Sequence, residues 1–383
     1  MLPQTAAPHP LPTSAEAALA TRLAAVAPEA YARSRNHLDG AVTRLSPWIT
    51  HGRLELPELI ARYRLSGADT LAFEFGWREF FHHVWQHLGD GILADVRPGL
   101  PGVPYQPTLP DDIRQGRTGL PAIDRAVAEL YATGYLHNHA RMWLASYAVH
   151  LRKVHWRCAA DWLYGHLLDG DLASNHLSWQ WVAATFSSKP YLFNAANVAR
   201  FAPPDWHCPG SAIDTDYPPL EALARSPRAL GPSPGAPGLA EPALLAAPPD
   251  NLLDPRDHLP PDSGTPLTLV HPWALRAGPG PRLGVIHLPF HRRFPWSAAR
   301  WAFVLTQMRA VTDRIWIGDL RQLQGRFHAE ATLNPGYREA LAGLDAVLAP
   351  PPRWLPEPPR LCSSFSRFWA ACGQPSPKRR WHG

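Results

Sequence analysis

The segment at residues 167–181 constrains the fold more than any other part of the chain. It reads LLDGDLASNHLSWQW and sets two tryptophans, an asparagine and two aspartates into the apolar pattern of a buried helix. On a helix, Asp171, Asn175 and Trp179 follow one another at intervals of four residues and share one face, whereas Trp181 points roughly to the other side. The glycine before Asp171 ends one helix, and Asp171 can cap the next. The segment thus predicts a helix that offers an acid, an amide and an indole to a planar polar ligand, with core packing of the aromatics as the alternative.

Four further motifs precede this segment along the chain. They read VTRLSP at 42–47, EFGWREF at 74–80, GRTGLPAID at 116–124 and TGYLHNHARM at 133–142. Together with DGDLASNHLSWQW at 169–181, their order and spacing resemble the flavin domain of the DNA photolyase and cryptochrome family. The resemblance covers about residues 31–203. It implies an all-helical FAD-binding domain with FAD as the cofactor.

The proline content divides the chain into segments. The 44 prolines crowd the stretch 203–266 and the residues after 350. We predict an N-terminal tail with a short helix (1–30), a helical FAD-binding domain (31–203), a Pro-rich linker (204–266), a small α/β domain (267–350) and a basic C-terminal tail (351–383). For 204–266, an extended segment lying over the first domain is the alternative. The expected fold class is therefore mainly α with a small α/β module, and the family's N-terminal α/β antenna domain is expected to be missing.

The pattern beyond residue 266 changes from helical to mixed. It predicts strands at 267–270, 283–288 and 314–317, a helix capped by Ser297, and a second helix at 337–348. A strand, a helix and a strand in this length favour a small βαβ unit with a parallel sheet.

Charge and cysteine usage restrict the class of protein only weakly. The net charge of +5 fits a polyanionic partner such as DNA. The cysteines show no metal-binding spacing, so we expect reduced thiols in a cytoplasmic protein. No long apolar segment predicts a membrane span. The basic run at 378–380 is expected to be solvated, although it could touch DNA.

The histidines predict no metal site. His83 and His87 share a helix face, yet no third ligand follows in the sequence, so we expect surface histidines there. The same holds for His82 and His137.

The resemblance implies a set of residues around the cofactor. Asn175 lies near the flavin N5, where an amide favours the fully reduced state. The cofactor-binding positions are Tyr31, Thr43, Arg44, Leu45, Ser46, Arg78, Asn138, Arg141, Asp169, Asp171 and Asn175.

The resemblance also implies an electron supply through tryptophans. Trp179 matches the member of the family's chain nearest to the flavin, and Trp156 matches the middle member. The outer member falls at Ile113, which cannot hold an electron hole. Possible substitutes are Trp162, Tyr164 and Trp143. The alternative is that Trp156 and Trp179 only pack in the core.

Photolyases flip the damaged base out of the DNA helix, and the resemblance implies a pocket for it. Two indoles, a carboxylate, an amide and a thioether match that pocket: Trp77, Trp181, Glu74, Asn138 and Met142. The expected function is light-driven repair of pyrimidine dimers in DNA. The alternatives are a cryptochrome-like photoreceptor without repair, which contacts a protein partner through the α/β module, and a flavoprotein without a light function. His139 and the stretch 187–194 depart from the family's motifs.

Overall fold

In the computed structural model, which describes residues 15–231, 237–254, 257 and 266–375, helices dominate the first half and a parallel sheet the second. The helices are α1 (Ala15–Ala24), α2 (Pro28–Ser34), α3 (Ser46–Thr50), α4 (Leu56–Arg62), α5 (Thr70–Leu88), α6 (Asp111–Arg114), α7 (Pro121–Thr133), α8 (Asn138–Ser146), α9 (Trp156–His166), α10 (Leu172–Ala183), α11 (Ala195–Phe201), α12 (Tyr217–Arg225), α13 (Leu288–Arg293), α14 (Ala298–Arg309), α15 (Tyr337–Ala342) and α16 (Phe365–Ala371). The strands are β1 (Leu244–Leu245), β2 (Leu267–Val270), β3 (Arg282–His287), β4 (Trp296–Ser297), β5 (Arg314–Gly318), β6 (Phe327–Glu330) and β7 (Ala346–Ala349). Within the described residues, no helix has both the length and the apolar character to span a bilayer.

The turn between α9 and α10 follows from its sequence. The Asp171 carboxylate accepts a hydrogen bond from the Ser174 backbone N–H at 2.9 Å, so it caps α10 as predicted. The turn leaves little room around it. A Cβ added at Gly134, which ends α7 with a φ of +65°, would lie 2.6 Å from Leu168. Close packing of Leu168 against Gly134 therefore holds the backbone of the turn between α9 and α10.

The sheet is wholly parallel, in the order β5-β3-β2-β6-β7, and β1 pairs antiparallel with β4. The strands predicted at 267–270, 283–288 and 314–317 are confirmed to within a residue, and Ser297 caps α14 through the Arg300 N–H. The helix predicted at 337–348 is wrong in its second half, because α15 ends at Ala342 and β7 follows. Leu344 and the β7 edge strand have an apolar pattern that a helix would share, so spacing alone did not separate the two.

The sheet shares its hydrophobic core with the helices. Phe80 and Val84 of α5 and Leu177 of α10 pack in the same buried cluster as Val285 of β3 and Trp301 of α14. The α/β part is therefore not a module that folds against itself alone.

The stretch after residue 203 also lies against the helical bundle. The Lys153 ammonium donates to the carbonyls of Leu223 and Ala224, at 2.8 and 2.7 Å, at the end of α12. Glu241 accepts a hydrogen bond from the Trp162 indole at 3.0 Å. Proline density here reflects an extended path over a surface rather than a free tether.

The last described segment differs from the predicted basic tail. Phe365, Phe368 and Trp369 of α16 are buried, and the Trp369 ring lies so close to Gly76 of α5 that an added Cβ would be 2.3 Å from it. Residues 351–375 are thus part of the core, because their aromatic residues outweigh the prolines and charges between them. The basic run at 378–380 lies outside the described residues.

Candidate functional site

Two arginine–aspartate pairs form the centre of the site. Both carboxylates come from the turn between α9 and α10. The Arg141 guanidinium donates to the two oxygens of Asp169 at 2.8 and 3.0 Å. Arg78 lies 3.3 Å from Asp171, whose oxygens also contact the His82 ring at 3.1 Å. The structure therefore brings α5 and α8 together on one turn.

Asp171 and Arg141, one partner of each pair, are held in their charged forms. Burial alone would raise the pKa of the Asp171 carboxyl, but the His82 ring and the Arg78 guanidinium hold it well below its ordinary value. Burial would lower the pKa of Arg141, but the neighbouring Asp169 carboxylate raises it. The contact of His82 with Asp171 also corrects its assignment as a surface histidine.

The cations of the two pairs keep accessible surface. The side chains of Asp169 and Asp171 are each 4 % exposed, whereas those of Arg141 and Arg78 keep 25 % and 23 %. Many protein atoms nevertheless surround the Arg141 side chain. The same holds for Tyr31, although the Tyr31 side chain is only half-buried. Accessible surface on such deep residues belongs to a cleft rather than to the outer surface. The buried carboxylates orient the guanidinium groups, which are left to meet a ligand.

The loop at residues 43–46 lies beside this cleft. The guanidinium groups of Arg44 and Arg141 lie over the same Tyr135 ring, at 5.0 and 5.7 Å from its centroid. Arg44 has a φ of +52°, an uncommon conformation for a side-chain-bearing residue, and Leu45 after it is fully buried. Thr43 and Ser46 flank Arg44 and Leu45 in the chain, and the Thr43 hydroxyl accepts the Leu45 N–H at 3.3 Å. The loop and the ion pairs thus concentrate cations and hydroxyl donors in one region.

This donor set fits the FAD that the resemblance implies. A dinucleotide carries two phosphate charges and a polar ring system, and arginines with hydroxyl and backbone donors are the usual partners of phosphate. The Asn175 amide N–H donates to the Ala160 carbonyl at 2.9 Å. Its Oδ1 accepts no hydrogen bond from the described residues and is left for a donor on the cofactor. Asn138 is exposed on α8 and donates to the Met142 sulfur at 3.5 Å, so its place at the cofactor stays a prediction.

The residues expected around a flipped lesion all have protein partners. Glu74 forms an ion pair with Arg35 at 3.0 Å, and burial raises the pKa of Glu74 against the opposing effect of Arg35. Trp77 stacks on Phe365 of α16, with the ring centroids 4.1 Å apart and the planes 9° from parallel.

Trp181, the other expected wall, lies 5.7 Å from the Tyr191 ring. No ring contact joins Trp77 and Trp181 in the described part of the chain. Sequence reasoning missed Arg35 and Phe365, because neither lies in a motif and Phe365 is far away along the chain.

The two tryptophans expected to carry electrons are buried in one cluster. Trp179 and Trp156 are each 3 % exposed, and the Trp156 indole donates to Asp95 at 2.6 Å. Ile113 is fully buried in the same cluster. The structure therefore brings Trp156 and Trp179 into one apolar region, and their role as carriers stays a prediction.

The expectation of surface histidines is wrong for His83 and His137, which are both buried. The His83 Nε2 accepts the Cys362 N–H at 2.8 Å, so Nδ1 carries the proton and donates to Glu357. His87 contacts the same Glu357 at 3.4 Å. Although His83, His87 and Glu357 lie close enough for a metal ion, both ring nitrogens of His83 are already used. This network anchors the C-terminal segment on α5, and the absence of a metal stays a prediction. His137 caps α8 through the His139 N–H.

Comparison with known proteins supports the sequence resemblance. Residues 71–205 match the family described as the FAD binding domain of DNA photolyase. The deoxyribodipyrimidine photo-lyase of Streptomyces griseus is 35 % identical over 148 residues, which are 38 % of this chain and 32 % of that protein. The enzyme of the same name from Thermus thermophilus is 37 % identical over 181 residues, 45 % of this chain and 43 % of the relative.

Cryptochromes match as well. The chloroplastic/mitochondrial cryptochrome DASH of Solanum lycopersicum is 31 % identical over 212 residues, 52 % of this chain and 36 % of the relative. The crystal structure of Synechocystis sp. PCC6803 cryptochrome aligns at a TM-score of 0.41 with 26 % identity, covering 48 % of this chain and 40 % of that one. This chain spans less than half of the length of each of these curated relatives.

Proposed function

Residues 71–205 belong to the family of photolyase FAD-binding domains, and from that premise we propose that this protein binds FAD and uses light to repair pyrimidine dimers in DNA. The observation that carries the proposal is the pair of arginines, Arg78 and Arg141, whose carboxylate partners are buried while their own side chains stay partly accessible. Such preorganised cations match a bound dinucleotide. Family membership alone leaves repair open, since both photolyases and cryptochromes are among the relatives.

Each cleft residue has a distinct task in this proposal. Thr43, Arg44 and Ser46 hold the diphosphate. Asp169 and Asp171 fix the guanidinium groups of Arg141 and Arg78 against the cofactor. FAD, when bound, supplies the light absorption and the one-electron chemistry.

Asn175 has an acceptor oxygen available, because its amide nitrogen is committed to Ala160. An acceptor suits a protonated ring nitrogen of the reduced cofactor. Trp179 and Trp156 are both buried in the helical bundle, which places the electron path in apolar surroundings.

The lesion is held by stacking and by hydrogen bonds. Trp181 supplies an aromatic face for stacking. Asn138 and Met142 lie one turn apart on α8, and the Glu74 carboxylate, which is paired with Arg35, accepts a hydrogen bond from the edge of a thymine. Stacking of a base on an aromatic ring is worth about 1–3 kcal/mol, so losing the Trp181 ring alone weakens binding of the lesion measurably.

The test is a light-dependent repair assay with the reduced protein and dimer-containing DNA. We expect dimers to disappear under blue light and to persist in the dark. The Trp181→Ala variant is expected to bind dimer DNA about tenfold or more weakly while keeping its flavin, because one stacking wall is lost. Trp181→Phe retains an aromatic face and serves as the matched variant, with most of the binding expected to remain. Unchanged dimer binding in Trp181→Ala would contradict the assignment of this pocket.

A non-repairing photoreceptor is the second candidate, and one observation favours it. Phe365 covers a face of Trp77, and the Arg35 charge already occupies Glu74. In this case light changes the flavin but leaves dimers intact. The protein then signals by contacting a protein partner through the α/β part. A light-dependent change of the flavin that leaves dimers intact would support this candidate.

Substituting Phe365 tests whether it competes with the lesion for Trp77. Phe365→Leu keeps most of the buried volume but removes the stacking ring, so we expect dimer DNA to bind about tenfold more tightly. Phe368→Leu is the control, because Phe368 is fully buried on the same helix and contacts Phe80 and His83. Fluorescence anisotropy with dimer-containing single strands measures both. Equal affinities for wild type and Phe365→Leu would mean that Phe365 covers a face the lesion does not use.

A further inference from the structure

We propose that Tyr105 is the terminal electron donor of this protein and replaces the outer tryptophan that is absent at Ile113. The inference rests on the proposed function, because it assumes that light leaves an electron hole on Trp156. Its basis is a cavity beside Trp156, which the family motifs did not point to.

The cavity has a volume of about 210 Å³ and is lined by Trp156, His155, Tyr105 and Asp95, among others. Its size and mixed lining suit a few water molecules. Backbone hydrogen bonds hold Tyr105 there, because its neighbour Gln106 donates to Lys153 at 2.7 Å and accepts from His155 at 2.9 Å. Tyr105 is thereby attached to the start of α9.

An aromatic series runs from the buried core to this cavity. The Trp156 and His155 rings are stacked with centroids 5.8 Å apart, and the His155 and Tyr105 rings meet edge to face at 6.5 Å. Trp156 is 3 % exposed, whereas Tyr105 is only partly buried. The series of rings therefore leads toward solvent. A path that carries an electron hole out of the core must end there.

The negative charge of Asp95 favours oxidation of the neighbouring Trp156 ring. The Asp95 carboxylate accepts the Trp156 indole N–H at 2.6 Å and is itself exposed. An anion beside an aromatic ring lowers the energy of the positive hole on that ring. Burial raises the pKa of the Tyr105 hydroxyl to about 12 and the Asp95 charge adds to the rise, so the phenol keeps its proton until it is oxidised.

The tyrosine step requires a place for a proton. In this step an electron passes from Tyr105 to the Trp156 radical cation, the phenol O–H bond breaks, and the proton passes to cavity water or Asp95. The products are neutral Trp156 and a neutral tyrosyl radical. The Tyr105 hydroxyl is buried and has no hydrogen-bond partner among the described residues, so cavity water is its natural partner. A small thiol then returns a hydrogen atom to the tyrosyl radical, and two thiyl radicals combine to a disulfide.

The other aromatic candidates are less suited. The Arg300 guanidinium lies 4.5 Å from the centroid of the Tyr164 ring, and a cation over a ring opposes a positive hole. Trp143 is fully buried and its indole donates to the neutral Asn197. Trp162 has the Glu241 carboxylate but lies in a different ring series, with Tyr131 and His166.

The test compares Tyr105→Phe with Tyr131→Phe as the matched control. Tyr131 is likewise partly buried, lies beside Trp162, and donates its hydroxyl to a backbone carbonyl. With the flavin-loaded protein and a thiol under blue light, we expect photoreduction to slow about tenfold in Tyr105→Phe and to be unchanged in Tyr131→Phe. Electron paramagnetic resonance of illuminated samples should show a tyrosyl radical in wild type and only a tryptophanyl radical in Tyr105→Phe.

A second readout does not depend on the cofactor. Pulse oxidation of the protein by azide radicals should convert tryptophanyl into tyrosyl absorption in wild type, with a clear loss of that conversion in Tyr105→Phe.

Dimer repair by chemically reduced protein should be equal in wild type and Tyr105→Phe, because no outer donor is then needed. If the wild-type protein neither binds flavin nor repairs dimers, the proposed function has failed. If Tyr105→Phe photoreduces at the wild-type rate and retains the tyrosyl signal, the role of Tyr105 is overturned.

Discussion

The Asp171→Asn variant is expected to unfold with a free energy about 4 kcal/mol lower than wild type and to purify without flavin. Asp171 is 4 % exposed and contacts two groups, the Arg78 guanidinium and the His82 ring. Removing the charge leaves the Arg78 cation, which is only 23 % exposed, beside a neutral amide, and breaking a largely buried ion pair costs about 3–5 kcal/mol. The asparagine oxygen still caps α10 at the Ser174 N–H. The effect therefore reports on the charge, with little contribution from the cap.

The pH dependence of this difference has a definite sign. The pKa of Asp171 in the folded protein lies well below its ordinary value, with burial opposed by His82 and Arg78. Such a carboxylate stabilises the fold above its unfolded pKa, and this contribution is lost as the pH falls toward the folded pKa. The stability gap between wild type and Asp171→Asn should thus be full at neutral pH and should shrink below about pH 4. Urea denaturation at a series of pH values measures the gap.

An exposed pair provides the control. Arg125 and Asp205 lie 2.8 Å apart with side chains 41 % and 51 % exposed, so Asp205→Asn should cost no more than about 1 kcal/mol. It should also leave the flavin-to-protein absorbance ratio unchanged. Full flavin occupancy in Asp171→Asn would show that the two arginines need no buried counter-charge to hold the cofactor.

Much of the helical site could be predicted from sequence because its motifs are local. The capping of α10 by Asp171 needs only residues within one turn. Arg141 and Asp169, which form an ion pair in the structure, were both implied as cofactor-binding positions by the family motifs. The strands at 267–270 and 314–317 are short apolar runs with clear ends. In each case, the information lies within a few residues of the element.

What sequence reasoning missed depends on contacts between distant segments. Phe365 lies on Trp77, and Cys362 contacts His83, across nearly the whole length of the chain. The Pro-rich and basic composition after residue 350 suggested a solvated tail, because composition does not reveal which aromatic residues find a partner. Asp95 beside Trp156 was missed for the same reason, since no spacing rule connects an exposed loop aspartate to a helix start.

The Arg300→Met variant is expected to lose about 3 kcal/mol of stability and much of its flavin, although Arg300 lies outside the family's motifs. Arg300 belongs to α14, yet its guanidinium donates to the Tyr164 and Gly170 carbonyls at 2.7 and 2.6 Å. Tyr164 lies in the last turn of α9, where carbonyls lack helical partners, and Gly170 separates the two site aspartates. Methionine fills part of the volume but leaves two buried acceptors unpaired, at about 1–3 kcal/mol each.

The expected loss of flavin follows from the position of this side chain. The guanidinium is fully buried and stacked between the Tyr164 and Trp296 rings, at 4.5 and 4.1 Å, so it cannot shift to compensate. A turn released from Arg300 no longer fixes the carboxylates that orient Arg78 and Arg141. Arg293→Met on the preceding helix α13 is the control, because Arg293 and Asp90 lie 3.7 Å apart with side chains 52 % and 45 % exposed, so the change should cost about 1 kcal/mol or less. Urea denaturation and flavin occupancy that match wild type in Arg300→Met would show that the α/β part and the cofactor cleft act independently, whereas joint losses would establish that the second half of the chain supports the site in the first.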